Sequence, residues 1–237
     1  MFAGPNGSGK STVYDVLKNK FDVGVYVNAD EIEKKLADSK IFSLTDYGLS
    51  NQITSEYFTA FIENHTLYKK VTAAGFVIDL QFQNGKILNP NLKTHSYEAS
   101  ILADFIRNEL IENGKKLTFE TVMSHSSKLE TLRNSKAKGY KNYLYFISTE
   151  NVEINKQRVD ERVINGGHPV PEDKIEKRYY RSLTYLSEAI QHTHRTFIFD
   201  NSGDNSVLVL DVFKGEKITF HSDSIPVWMD TYFLENL

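Results

Sequence analysis

Nine residues near the amino terminus, Gly4-Pro5-Asn6-Gly7-Ser8-Gly9-Lys10-Ser11-Thr12, constrain this chain more than any other stretch. They match the pattern G-x-x-x-x-G-K-[ST] in full. A backbone curling through three glycines turns successive N–H groups to one side, where they meet phosphate oxygens. Lys10 then supplies a point charge for the β/γ-phosphates, and Ser11 an oxygen ligand for Mg²⁺. The flanks agree with this reading: Met1-Phe2-Ala3 is apolar, as the end of a leading strand should be, and Val13, Val16 and Leu17 recur at helical spacing after the loop. Strand, loop and helix in that order predict an α/β protein that binds a nucleoside triphosphate, whereas an ordinary glycine-rich turn would need no such flanks. A strand of about five residues is expected before the loop. Since Gly4 is preceded by only three, further residues are expected upstream of Met1.

Composition narrows the setting. With 237 residues and 40% hydrophobic content, the chain makes one large α/β domain, or a domain with an inserted subdomain. No apolar run reaches the ~18 residues of a membrane span, and no basic-then-apolar leader is present, so a soluble, cytoplasmic protein is expected. The absence of cysteine excludes disulfides, thiolate metal sites and a thiol nucleophile. Seven histidines are scattered without ligand spacing. A net charge of −3 speaks against a large basic surface, so small anionic substrates fit better than nucleic acid.

Beyond the loop the chain alternates. Val23 to Asn28 reads as a buried strand, followed by a helix from Ala29 to about Asp38. Asp30 stands where that strand meets the helix, at the end of the sheet where ligands of open α/β folds bind. Two roles are open to it: proton acceptor from an attacking hydroxyl, or member of a capping arrangement with Glu33. From about Asp46 to Tyr97 the alternation is interrupted. Ile53, Tyr57, Phe61, Leu67 and Val71 outline an amphipathic helix from Leu49 to Val71, broken near Asn64-His65. An alternating strand from Phe76 to Phe82 then turns at Asn84-Gly85 into a hairpin. This insertion either shapes a substrate pocket or packs one side of the sheet.

Ser96 to Asn113 resumes a helix with Ile101, Leu102, Phe105, Ile106 and Leu110 on one face, ended by Asn113-Gly114. The strand Lys116 to Phe119 leads into Glu120-Thr121, placing an acid where the Mg²⁺ shell of such proteins is oriented, unless it is surface charge. A helix from Ser127 to Lys138 and a strand from Tyr143 to Ile147 follow. Asn151 to His194 is helical on both sides of the irregular Gly166-Gly167-His168-Pro169-Val170-Pro171. Arg158 with Arg162, and Arg178 with Arg181, lie one helical turn apart, so each pair can converge on a polyanion from a closing lid. Pairing with Glu161, Glu172, Asp173 and Glu176 is the competing role. Thr196 to Asp200 is a core strand. A hairpin around Lys214-Gly215 and a short helix from Val227 complete the chain, with Trp228 read as packing.

Taken together, GPNGSGKST, NADEI at 28–32, FETVMS at 119–124 and RVDERVINGGHPVPEDKIEKRYYRSL at 158–183 resemble the zeta toxin-like P-loop kinases, including the branch labelled as predicted ATPases. The likeness runs over about 1–40 and 98–213. It implies a three-layer P-loop NTPase fold with a mostly parallel sheet of about five strands. The inserted helix-hairpin element at about 46–97 and a helical lid at about 151–194 would belong to one domain of residues 1–237. It also implies ATP·Mg²⁺ held by residues 4–12, with Ser11 and Glu120 at the metal and Asp30, Glu120 and Thr121 beside the acceptor. Asp30 would be the base and Lys10, Arg158 and Arg162 catalytic, with Arg178 and Arg181 as further nucleotide-binding arginines. The acceptor would be a small nucleotide-like molecule, UDP-N-acetylglucosamine in the toxins of the family, and an antitoxin protein the expected partner. The alternative is a P-loop ATPase or nucleotide switch working with a protein partner.

Overall fold

Runs rich in β-branched and aromatic residues become strands and the segments between them become helices, as an α/β alternation requires. The computed structural model describes residues 1–49, 53–91, 93–167 and 169–236. Its elements in chain order are β1 (Phe2–Ala3), α1 (Lys10–Lys18), β2 (Val25–Val27), α2 (Ala29–Ser39), β3 (Ile41–Ser43), α3 (Ser55–Asn64), α4 (Thr66–Ala73), β4 (Gln81–Gln83), β5 (Lys86–Leu88), α5 (Ser96–Glu112), β6 (Leu117–Thr121), α6 (Ser127–Ala137), β7 (Tyr143–Ser148), α7 (Val152–Ile164), α8 (Glu172–Thr184), α9 (Leu186–Gln191), β8 (Arg195–Asp200), β9 (Val207–Phe213), β10 (Lys217–Phe220) and α10 (Val227–Tyr232). The sheet order is β10-β9-β8-β7-β1-β6-β2. The five strands from β8 to β2 are parallel, and the carboxyl-terminal hairpin adds two antiparallel ones. Five strands were expected, and the hairpin extends them to seven because β9 pairs with β8 along its whole length.

The chain divides into two compact units, residues 1–22 with 120–237, and residues 23–119. In the first, β1 is the central strand, between Glu120–Thr121 of β6 and Tyr145–Phe146 of β7. Side chains alternate across this sheet. On one face Phe2, Tyr145 and Phe197 stack in successive strands, with ring centroids 4.7 and 5.0 Å apart, and Tyr14 of α1 packs edge-on against Phe2. On the other, Phe146 meets Trp228 of α10, whose indole N–H donates to Asp200. Helices therefore cover opposite faces, and Trp228 is packing as expected. One expectation for α1 needs correction: its inward residues are Val13 and Tyr14, while Val16 is exposed. The short β1 leaves Phe2 to be covered, and Tyr14 does so.

In the second unit, α5 buries Ile101, Leu102, Phe105, Ile106 and Leu110. Phe58 and Phe61 of α3 pack on Phe105 at 5.0 Å. The break between α3 and α4 falls at His65, whose Nδ1 accepts the Leu67 N–H and so starts the next helix. Ser50 to Gln52, part of the helix predicted from Leu49, lie outside the described residues; the helix is seen from Ser55. The predicted turn Asn84-Gly85 has φ of 51° and 75°, as a two-residue hairpin demands. The strand before it is shorter than predicted, starting at Gln81, and β3 adds an antiparallel partner to β5.

Candidate active site

The loop between β1 and α1 is pressed against neighbours that leave no room for side chains at Gly4, Gly7 and Gly9. A Cβ on Gly4, whose φ is 142°, would sit 1.9 Å from the Ile147 carbonyl oxygen at the end of β7. Lys10 Nζ donates to the Gly4 and Pro5 carbonyls at 2.9 and 2.7 Å, closing the ammonium over the loop's own backbone. Pro5 and Ser8 are buried, Asn6 half-buried, and Thr12 exposed in the first turn of α1. Gly9 starts α1 without a side-chain cap, the arrangement by which a helix amino terminus can offer N–H groups to an anion. The Ser8 hydroxyl and the Asn6 side-chain oxygen are buried without a partner among the described residues.

Ser11 Oγ donates to Glu120 Oε2 at 3.0 Å across 109 residues of sequence. A hydroxyl and a carboxylate side by side are hard oxygen donors, the set that suits Mg²⁺. Among the described residues no group of three or more His, Asp or Glu side chains is arranged for a metal. Mg²⁺ binds through one or two protein oxygens and completes its shell with water and substrate phosphates. The residues present thus fit both ATP and Mg²⁺. Thr121 Oγ1 accepts the Met123 N–H at 3.1 Å, holding a buried Met123 at φ 55°. A non-glycine residue kept in that region beside Glu120 is a strained turn of the kind that collects at functional sites.

Arg158, half-buried on α7, donates to the carbonyls of Asn201 (2.7 Å) and Gly203 (3.2 Å) after β8. Arg162 is exposed near the end of α7, with its backbone carbonyl accepting from Gly167 N–H. On α8, Arg178 is half-buried and Arg181 exposed. Several acids that competed for these arginines have other partners: Glu161 accepts from Gln157, Asp173 from Lys177, and Glu176 pairs with Lys156. His168 of the predicted lid motif lies outside the described residues. Tyr179 of α8 is buried and donates to the Thr149 carbonyl at 2.7 Å, and that burial pushes its hydroxyl well above the ordinary tyrosine range.

Asp30 belongs to the second unit, exposed in the first turn of α2 just after the carboxyl end of β2. The cap of that helix is Asn28, whose side chain accepts the Asp30 N–H at 2.8 Å. The capping role weighed for Asp30 with Glu33 is therefore filled by another residue. This unit also carries an open depression of about 490 Å³ along α3 and α5, lined by Tyr57, Phe61, Asn64, His65 and Asn108 among others. Tyr57 donates to Glu109 there, and that hydrogen bond, ahead of burial, raises its hydroxyl to about 12.

Two residues at the loop escaped the sequence reading. Asn155 on α7 is fully buried and donates to the Asn6 carbonyl at 2.5 Å, while its side-chain oxygen accepts from Thr149. Asn201 after β8 donates to the Ser8 carbonyl at 2.9 Å. Asparagine beside a helix start or strand end has many roles, and only the long-range fold brings these two to the loop.

Sheet order, flanking helices and glycine loop together define a P-loop fold, with a loop of the nucleotide-binding kind. The zeta toxin family model matches residues 89–211, just over half of the sequence, and the chain belongs to the zeta toxin family. An uncharacterized protein of Haemophilus influenzae is 35% identical over 60 residues, which is 25% of this chain and 43% of that relative. Among solved structures, a chain of the AvrRxo1-ORF1:AvrRxo1-ORF2 crystal structure with sulphate ions superposes with a TM-score of 0.57 at 17% identity. That match covers 94% of this chain and 60% of the other. The PezAT chromosomal toxin–antitoxin system of Streptococcus pneumoniae gives 0.50 at 17% identity, covering 98% and 77%. At such identities these two likenesses speak for the fold. The family supports a P-loop phosphotransferase. Among the described residues no helix is long and apolar enough to cross a membrane.

Proposed function

We propose that this chain transfers the γ-phosphate of ATP to a hydroxyl of a small nucleotide-like acceptor, with UDP-N-acetylglucosamine the first acceptor to examine. The observation that carries the reading is the Ser11–Glu120 pair beside a glycine loop closed by Lys10. In this reading residues 4–12 hold the triphosphate, with Lys10 leaving its own carbonyls for the β/γ-phosphates. Ser11 and Glu120 hold Mg²⁺, which when bound neutralises charge on the phosphates. Asp30 takes the proton of the acceptor hydroxyl; its place after a strand's carboxyl end and its release from capping support that role. Glu120 and Thr121 also face the acceptor. The segment 151–194 serves as lid: Arg158 and Arg162 neutralise the transferring group and Arg178 and Arg181 reach the nucleotide. Residues 46–97 act as an insertion on the acceptor side of a single kinase domain. An antitoxin partner is proposed from the family and from the PezAT system, where toxin and antitoxin occur together.

Transfer of labelled γ-phosphate from ATP·Mg²⁺ to a panel of UDP-sugars, nucleosides and dinucleotides tests this directly. Lys10→Ala abolishes transfer, and Asp30→Asn lowers kcat by ~10²–10⁴-fold while leaving ATP affinity intact. Label released only as free phosphate, at a rate indifferent to Asp30→Asn, would overturn the kinase reading in favour of an ATPase.

A further inference from the structure

The outer wall of the loop consists of two asparagine amides, and their hydrogen bonds have a direction. A trans peptide is planar, so the carbonyl of one residue and the N–H of the next point opposite ways. No cis peptide occurs among the described residues. Asn155 Nδ2 draws the Asn6 carbonyl toward α7, which turns the Gly7 N–H away from α7. Asn201 Nδ2 draws the Ser8 carbonyl toward the segment after β8, which turns the Gly9 N–H away from it. The amide orientations are fixed by chemistry: a flipped amide would set two oxygens against each other, and Thr149 already donates to the oxygen of Asn155.

The wall is also closed to a ligand. A Cβ on Gly7 would lie 2.6 Å from the Asn155 carbonyl oxygen, and one on Gly9 2.2 Å from Asn201 Nδ2. A phosphate can approach only from the opposite side, the side to which the two N–H groups are turned. The wall is itself braced. Arg158, one turn after Asn155, holds the Asn201 and Gly203 carbonyls, and Asn201 N–H donates to the Ser148 carbonyl at 2.8 Å.

We infer that Asn155 and Asn201 are positioning residues for phosphate binding, each holding one carbonyl outward so that one glycine N–H, Gly7 or Gly9 respectively, faces the phosphate. The inference rests on the nucleotide reading of the loop and assigns a separate duty to each amide.

That separation gives the test. In full-length protein carrying ¹⁵N-glycine, addition of ATP·Mg²⁺ shifts the Gly7 and Gly9 amide resonances. In Asn155→Leu the Gly7 response is lost and that of Gly9 kept; in Asn201→Leu the reverse holds. Each substitution weakens ATP·Mg²⁺ binding about tenfold, the loss of one hydrogen bond's worth of alignment. A merely structural role would move both glycines together, and that result, or unchanged affinity in both variants, overturns the proposal. Should fully buried Asn155 not tolerate leucine, Asn201, half-buried, decides alone. Wild-type protein with no response to ATP·Mg²⁺ would overturn the nucleotide reading itself and this assignment with it. A response lost in Lys10→Ala while both asparagine variants behave as wild type would keep the reading and sink the assignment.

Discussion

Single residues at the loop are constrained by distance more than by conformation alone. Gly4 needs both a φ of 142° and the absence of a side chain, because the Ile147 carbonyl oxygen occupies the place of a Cβ and, as backbone, cannot step aside. Gly85 needs only its φ of 75°, since nothing stands within 4 Å of its missing Cβ. Gly4→Ala is accordingly expected to cost ~2 kcal/mol or more and to abolish ATP·Mg²⁺ binding, and Gly85→Ala about 1 kcal/mol with binding intact. Urea unfolding and nucleotide titration of the two variants would check the contrast. Asp30 teaches a related lesson. Its position was legible from NADEI, but which residue of that motif caps the helix depends on where the strand stops, and β2 stops one residue before Asn28. Asn155 and Asn201 were illegible for a stronger reason: their partners are 149 and 193 residues away.

Among the elements, those with local signals could be read and those defined by remote pairing could not. Both hairpin turns were legible because Asn84-Gly85 and Lys214-Gly215 each require two consecutive positive φ values. The three-residue β3 carries no such mark and exists by pairing with β5. The carboxyl-terminal hairpin has a hidden fastening of this kind. Asp211 on β9, buried, accepts two hydrogen bonds from Arg195 of β8 at 2.8 and 3.0 Å and one from His221 just after β10 at 2.7 Å. Arg195 chiefly, then His221, holds the Asp211 carboxyl below its ordinary value near 3.8. The unfolded chain therefore binds this proton more readily than the folded one, and the fastening is present above about pH 4 and lost as pH falls below it. Asp211→Asn should be less stable than wild type at pH 7 by about 1–2 kcal/mol, discounted because Arg195 is 41% exposed. The gap should narrow on acidification from pH 5 to pH 2. Urea midpoints across that range would measure it, and a gap that stays constant would show the fastening to be idle.

Over the whole molecule, the phosphate-binding fold was legible because a contiguous motif and alternating periodicities encode it. The five parallel strands and the flanking helices followed from those signals. The edge hairpin's addition to the same sheet, and the aromatic stack Phe2–Tyr145–Phe197 that runs across three strands, became visible only with the strand order. The two compact units explain part of this. The unit that contains the loop is assembled from the first 22 residues and from residues 120–237, so the loop's partners Glu120, Asn155 and Asn201 lie 109 to 193 residues away along the chain.

That discontinuity sets a clock. The loop is synthesised well before the residues that shape it, Ile147, Asn155 and Asn201. At synthesis rates of ~5–20 residues per second, roughly 10–40 s separate the loop from Asn201. A nascent chain halted at residue 190 should fail to retain ATP, whereas the released protein retains it, and affinity capture of stalled chains on immobilised nucleotide would check this. Until the segment after β8 has been made, the loop would lack the wall that orients its carbonyls, and nucleotide capture would have to wait for it.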